Sequence, residues 1–222
     1  MRAIIILVLG LLPSLAFASE LSTLASRLET VMQDKARLGV ILEKGKERTA
    51  LCEYCHGADG ISSRKYIPNL AGQLPVYLLK QMLHFADGTR QSQVMQALAK
   101  KLTQADMINV AIYYATMPVP TAHNNAQTYD AQTLAAGRDI YNAQCAQCHG
   151  TSGQGSALFP RLGGQKIEYV VDTMKMFAAP EAEKNNPLLF NAVRSNPEMV
   201  NIVRKLQPAD IRAVANYIAT LH

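Results

Sequence analysis

The 222-residue chain has no cysteine to spare: its four are Cys52, Cys55, Cys145 and Cys148, and each belongs to a C-x-x-C pair. A cysteine ligand or nucleophile elsewhere is therefore excluded. Beyond the first 18 residues there is no apolar run of membrane-spanning length. Low-complexity tracts are absent, and neither half shows the apolar–polar alternation of a half-buried strand. The composition, 49% apolar and 18% charged, is that of a globular protein.

What is present is concentrated in two places. Cys52-Glu53-Tyr54-Cys55-His56 and Cys145-Ala146-Gln147-Cys148-His149 are complete CxxCH motifs. This pattern is the signature of covalent c-type haem attachment, in which two thiols add to the porphyrin vinyl groups and the adjacent histidine lies under the iron as axial ligand. Two covalently bound haem c groups are the expected cofactors. A four-cysteine zinc site would leave the repeated histidine unexplained. A thioredoxin-like pair would need a βαβ unit, whereas the surroundings read as helix and loop. Structural disulfides are the remaining alternative.

The start of the chain reads as an export signal over residues 1–18, with Arg2, an apolar stretch from Ala3 to Leu12, and Ala16-Phe17-Ala18 as the cleavage site. The apolar run is shorter than the ~20 residues a bilayer crossing needs, so retention as an anchor is the minor alternative. Covalent haem ligation takes place outside the bacterial cytoplasmic membrane, which makes the periplasm the expected compartment. The formal charge of +5 falls by one with Arg2, and four haem propionates would bring the holoprotein near neutrality. No nucleic-acid partner is expected.

The chain repeats itself. Gly45 and Gly137 each precede a haem motif, and each motif is followed by a related segment, Ile67-Pro68-Asn69-Leu70-Ala71-Gly72-Gln73 or Phe159-Pro160-Arg161-Leu162-Gly163-Gly164-Gln165. A helix led by Tyr77 or Tyr169 comes next, ending near Phe85 or Phe177, and a closing helix carries Tyr113-Tyr114 or Asn216-Tyr217. The closing helices start at Thr103, with Asp106 three residues on, and at Pro208. Domains are expected at 45–117 and 133–222, with a Pro- and Asn-rich linker at 118–132. Each is small for a self-supporting core, and a large apolar cofactor would fill its centre.

An iron that only carries electrons takes a sixth ligand, and a thioether there raises the reduction potential. Met95 and Met199 each lie seven residues before the leucine that precedes the closing helix, Leu102 or Leu206, which makes them the expected axial partners of His56 and His149. Met82 and Met174 also match across the repeat, but sit at core spacing inside the Tyr-led helix. Met32, Met107, Met117 and Met176 have no repeat counterpart, nor do His84, His123 and His222, which read as ordinary polar residues.

Taken together, the duplicated CxxCHG, the I/F-P-x-L-x-G-Q segment, the Tyr-led helix and the late methionine closely resemble the dihaem cytochrome c4 family, from Gly45 to Leu221. The resemblance implies an all-α fold of two tandem class I cytochrome c domains, related by a pseudo-two-fold axis and each wrapped around a covalent haem. It also implies that the carbonyls of Pro68 and Pro160 orient His56 and His149. The implied role is a high-potential carrier between a quinol-oxidising complex or another cytochrome and a terminal oxidase or reductase.

Three features depart from a plain duplication. Gly45 to Cys52 is one residue shorter than Gly137 to Cys145, the second half has a longer Ala178–Pro197 stretch, and residues 19–44 precede the first domain. In that last segment Leu21, Leu24, Leu28, Val31, Leu38 and Leu42 recur at helical steps, with Lys35 breaking the series. This reads as an amphipathic helix lying on its own domain, with a partner-binding or dimerising helix as the alternative.

An iron with both axial positions filled has no vacancy for a small-molecule substrate, so an electron carrier without catalysis of its own is the leading expectation. The alternatives are a dihaem oxidoreductase of peroxidase or thiosulfate dehydrogenase type and a cytochrome subunit of a dehydrogenase. Peripheral membrane association is left open.

Overall fold

The computed structural model describes residues 12–120, 130–157, 159–179, 194 and 196–221, with side chains described from residue 19 onward. The described residues form eleven α-helices and no strand. An N-terminal helix, α1 (Leu12–Gln33), is followed by α2 (Lys35–Arg48), α3 (Ala50–His56), α4 (Pro75–Asp87), α5 (Gln93–Ala99) and α6 (Gln104–Ala115). The second half repeats the last five as α7 (Ala131–Gln144), α8 (Ala146–His149), α9 (Ile167–Ala178), α10 (Pro197–Val203) and α11 (Pro208–Ile218).

In each half the opening and closing helices cross at a glycine. A Cβ on Gly45 would stand 2.6 Å from the Asn109 carbonyl oxygen of α6. At Gly137 it would meet the Ala213 carbonyl oxygen of α11 closer still. Only a residue without a side chain permits such an approach. Around each crossing lies a separate apolar core. The first contains Leu79, Leu83, Ile108 and Ile112, and the second Tyr141, Val171, Phe177, Val214 and Ile218.

The interruption at Lys35 has a physical cause one residue earlier. Asp34 is extended, and its Oδ1 accepts the backbone N–H groups of Ala36 and Arg37, so it ends α1 and caps α2. Helix α1 folds back onto the first half, burying Leu24 and Leu28 in that core. Burial of a leucine of this kind contributes about 1.5–3 kcal/mol. The amphipathic stretch therefore lies on its own domain, and α1 crosses the expected cleavage point at residue 18. The expected boundaries at 44/45 and 132/133 fall inside α2 and α7. Most of the expected linker, residues 121–129, lies outside the described residues, as do His123, His222 and most of the Ala178–Pro197 stretch.

Candidate haem sites

In each half a short helix delivers the cysteines and a buried histidine. His56 closes α3 and His149 closes α8, at 7% and 6% exposure. The length difference noted in the sequence is absorbed just upstream. Thr49 separates α2 from α3 three residues before Cys52, whereas Cys145 itself is the junction between α7 and α8. All four cysteines are unpaired and partly buried. Burial pushes the Cys52 thiol up, and drives that of Cys145 to about 11.

The chain after each motif turns through a glycine at positive φ, Gly60 at 72° and Gly153 at 69°. The carbonyl of Gly60 accepts the N–H groups of Leu70 and Ala71, and that of Gly153 accepts those of Leu162 and Gly163. These turns bring Pro68 and Pro160 over the imidazoles. Nδ1 of His56 lies 2.9 Å from the Pro68 carbonyl oxygen, and Nδ1 of His149 lies 3.0 Å from that of Pro160. A carbonyl only accepts, so Nδ1 must carry the proton and Nε2 keeps its lone pair. Burial also lowers the pKa of both histidines, against the raising effect of the carbonyl bond, and so favours the neutral, ligating form.

Met95 and Met199 are placed alike. Each is the third residue of a seven-residue helix, α5 or α10, and each has its N–H turned to the side chain of the N-cap residue. Asn196 Oδ1 accepts from Met199 at 2.8 Å, and Ser92 Oγ from Met95 at 3.5 Å. Met174 is buried in the second core and Met82 packs against the first, which suits apolar filling.

The two halves meet through a reciprocal pair of contacts. The Gln73 amide donates to the Arg161 carbonyl and accepts from the Arg161 N–H, both at 2.9 Å. The Gln165 amide does the same to Asn69, at 3.0 and 2.9 Å. Gln73 and Gln165 are repeat equivalents, as are Asn69 and Arg161, so the halves are related by a pseudo-two-fold axis through this contact.

Beside the contact lies an arginine pair that sequence reading passed over. Arg90 and Arg194 each stand five residues before the matched methionine and stack on the ring of Phe85 or Phe177. Arg90 donates to Gln81 at 2.6 Å and reaches the Tyr169 hydroxyl of the other half at 3.4 Å. Arg194 donates to Tyr169 at 2.9 Å and lies 3.5 Å from the Tyr77 hydroxyl of the first half. Among the described residues neither forms an ion pair with a carboxylate. Burial opposes ionisation of Tyr169, but the Arg194 and Arg90 charges outweigh it and bring the phenol down to about 8. The fixed offset from Met95 and Met199 was the signal available in the sequence.

This donor set fits haem. The imidazoles offer Nε2, the cysteines flank them, and among the described residues Arg161 Nε is a buried donor without a partner. Two guanidiniums held, among the described residues, by neutral acceptors favour anions, and each haem brings two propionates.

Comparison with known proteins agrees with this reading. The Cytochrome c family model matches residues 134–222. A cytochrome c4 from Pseudomonas aeruginosa is 36% identical over 184 residues, covering 80% of this chain and 87% of the relative. A thiosulfate dehydrogenase electron acceptor from Stutzerimonas stutzeri is 30% identical over 178 residues, covering 77% and 78%. The crystal structure of reduced cytochrome c4 from Pseudomonas stutzeri superposes with a TM-score of 0.65 at 28% identity, covering 81% of this chain and 98% of that one. With two CxxCH sites on two matched helical halves, the chain belongs to the cytochrome c4 family and is a dihaem c-type electron-transfer protein.

Proposed function

We propose that the protein is an exported carrier, working in the periplasm, that takes electrons from a quinol-oxidising complex or another cytochrome and passes them to a terminal oxidase or reductase. The first half, closing with α6, and the second half, opening with α7, act as the two redox domains. When bound, each haem supplies a one-electron couple. His56 and Met95 would hold one iron and His149 and Met199 the other, while Pro68 and Pro160 fix the imidazoles in the ligating tautomer. The observation that carries this reading is the matched pair of donors in both halves: a buried imidazole with Nε2 free, and a methionine tied at the third position of a short helix. With both side chains holding each iron, no place would remain there for a substrate, and the chemistry supplied would be outer-sphere electron exchange. Among the described residues no helix is long and apolar enough to cross a membrane.

The test is the resting ferric holoprotein. Both irons should be six-coordinate and low-spin, and mixing with hydrogen peroxide or thiosulfate should give only slow, non-saturating change. Saturable turnover with either would make the protein an oxidoreductase. The relative named as a thiosulfate dehydrogenase electron acceptor favours one second reading, in which this chain accepts electrons from a dehydrogenase. Rapid reduction by such an enzyme together with its substrate, but not by a quinol-oxidising complex, would establish it.

A further inference from the structure

The halves part company on the outer side of α4 and of its repeat counterpart α9. Helices α1 and α2 form a hairpin bent at Asp34. Glu20 accepts from the Gln104 side chain at 2.7 Å, and Arg48 at the far end of α2 reaches Asp106 at 2.8 Å, so both arms of the hairpin meet the start of α6. Helix α2 takes the Gly45 side of α6, while α1 packs across α4 and α6 and buries Leu24 and Leu28.

The face beneath α1 suits that cover. Leu83 of α4 and Ile108 and Ile112 of α6 belong to the same apolar core as Leu24 and Leu28, and Val76 packs against it. At the repeat-equivalent positions the second half has Lys175, Arg212, Asn216 and Glu168. Glu168 and Arg212 join α9 to α11 through hydrogen bonds of 2.6 and 3.2 Å, both side chains reach solvent, and Lys175 is exposed. An apolar face is costly to leave in water, and a charged pair is costly to cover with a helix. Each half therefore has the face its surroundings demand. Helix α4 is also the wall on which α5, the helix of Met95, rests, as α9 is for α10 and Met199.

We propose that α1 is a strap that holds α4 in place and so keeps the methionine side of the first haem crevice shut, leaving the second half as the one that opens more readily to an outside ligand. The inference rests on the carrier reading above, with one methionine per iron, and adds a difference in accessibility between the two sites. For a methionine to leave, α5 or α10 must move off the helix beneath it, and such local opening is rarer where that helix is anchored on a further side. Leu24 and Leu28 supply the anchor, and the Asp34 side chain, which caps α2 at the bend, sets the folded angle of the hairpin. When an outside ligand enters, one iron–sulfur bond is exchanged for one iron–nitrogen bond with no change of oxidation state.

The test uses ferric holoprotein, with imidazole as the outside ligand. Amide hydrogen exchange read by mass spectrometry should be about tenfold slower over α4 than over α9. Leu24→Ser with Leu28→Ser should speed exchange over α4 about tenfold and leave α9 within about twofold. Asp34→Ala, which deletes no apolar contact, should speed α4 about threefold and decides alone if the double variant fails to fold. Imidazole uptake, followed through loss of the near-infrared methionine–iron band, should show two phases of similar amplitude about tenfold apart, the slower one accelerating in both variants. Glu168→Gln with Arg212→Gln should accelerate only the faster phase. Exchange over α4 that ignores Asp34→Ala, or a slower phase that does not respond to it, would overturn the strap. Imidazole uptake without loss of the band would instead count against methionine ligation and the carrier reading, with the exchange comparison still deciding the strap.

Discussion

The two halves of this molecule have kept different things. Each retains a glycine at the crossing of its opening and closing helices, a glycine turn after the haem motif, a proline carbonyl on the histidine and a capped methionine. Each also retains the glutamine that clasps the other half. What they have not kept is the means of filling space. In the second half Tyr141 of α7 packs on Tyr217 with ring centres 5.5 Å apart, and in the first Tyr114 packs on Tyr113 at 5.6 Å. Tyr113 and Tyr217 are equivalents. Tyr114 and Tyr141 are not: the position of Tyr141 is held by Thr49 and that of Tyr114 by Ile218. The second ring has changed helices while the ring pair survived, because a core specifies volume and contact rather than the helix of origin. Coordination and interface geometry allow no such exchange.

This comparison can be broken most sharply at the helix crossings. Gly137→Ala should destabilise the second half more than Gly45→Ala destabilises the first, since the new methyl meets the facing carbonyl more closely at residue 137. A loss of about 3 kcal/mol or more at Gly137 and somewhat less at Gly45 is expected from overpacking against backbone. Denaturant unfolding, monitored through each half's haem, would measure both. Equal losses would mean that the crossings are not as different as their distances.

The interface comes next. Gln73→Ala and Gln165→Ala each leave a backbone N–H and carbonyl of the opposite half without their partner, at Arg161 or Asn69. Each should cost about 1–3 kcal/mol, because the stranded groups at the seam are largely shielded from water. The double variant should be sub-additive if the pseudo-two-fold contact acts as one unit. Unequal single effects would show that the reciprocity is geometric only.

A smaller contrast lies in the tyrosines. Tyr141 donates to the Gly150 carbonyl at 2.6 Å, whereas among the described residues the buried Tyr114 hydroxyl makes no hydrogen bond of good geometry and only approaches the Thr49 side chain. Tyr141→Phe should cost about 1 kcal/mol and Tyr114→Phe should be neutral or mildly stabilising, as measured by thermal unfolding.

The least effect concerns charge. Asp106 is both the acid of the capping box at α6 and the partner of Arg48, 2.8 Å away. The hydrogen bond from Arg48 holds its carboxyl down to about 2 against the usual 3.8. Because the folded pKa is depressed, its contribution is complete above about pH 5 and is lost as pH falls from about 4 towards 2. In the second half the corresponding Asp210 keeps the cap, while the ion pair has moved to Arg212 and Glu168. Asp106→Asn should therefore weaken the protein by on the order of the ~1 kcal/mol of a helix cap at neutral pH, with the difference from wild type shrinking as pH falls towards 2 and gone only below it.

Much of the haem chemistry was legible in the sequence. The CxxCH pairs, the matched methionines and the helical repeat are local or periodic patterns, and the proline–histidine contact followed from the family resemblance. The break between α1 and α2 was visible only as Lys35, because an apolar periodicity does not reveal that Asp34 will cap the next helix. Arg90, Arg194 and the mutual clasp of Gln73 and Gln165 were not legible as interactions. Their contacts across the interface join residues 79 to 117 apart for the arginine–tyrosine pairs, and only folding brings these together.

The central claim is that the two halves are equivalent His–Met haem sites within different packings. The most direct measurement is the near-infrared charge-transfer band of a methionine–ferric haem bond, recorded on holoprotein and on variants of Met95 and Met199. The account predicts that Met95→Ala and Met199→Ala each remove about half of the band and that the double variant abolishes it, as one thioether per iron requires. Retention of the full band in either single variant, or its loss in Met82→Ala or Met174→Ala, would contradict the assignment.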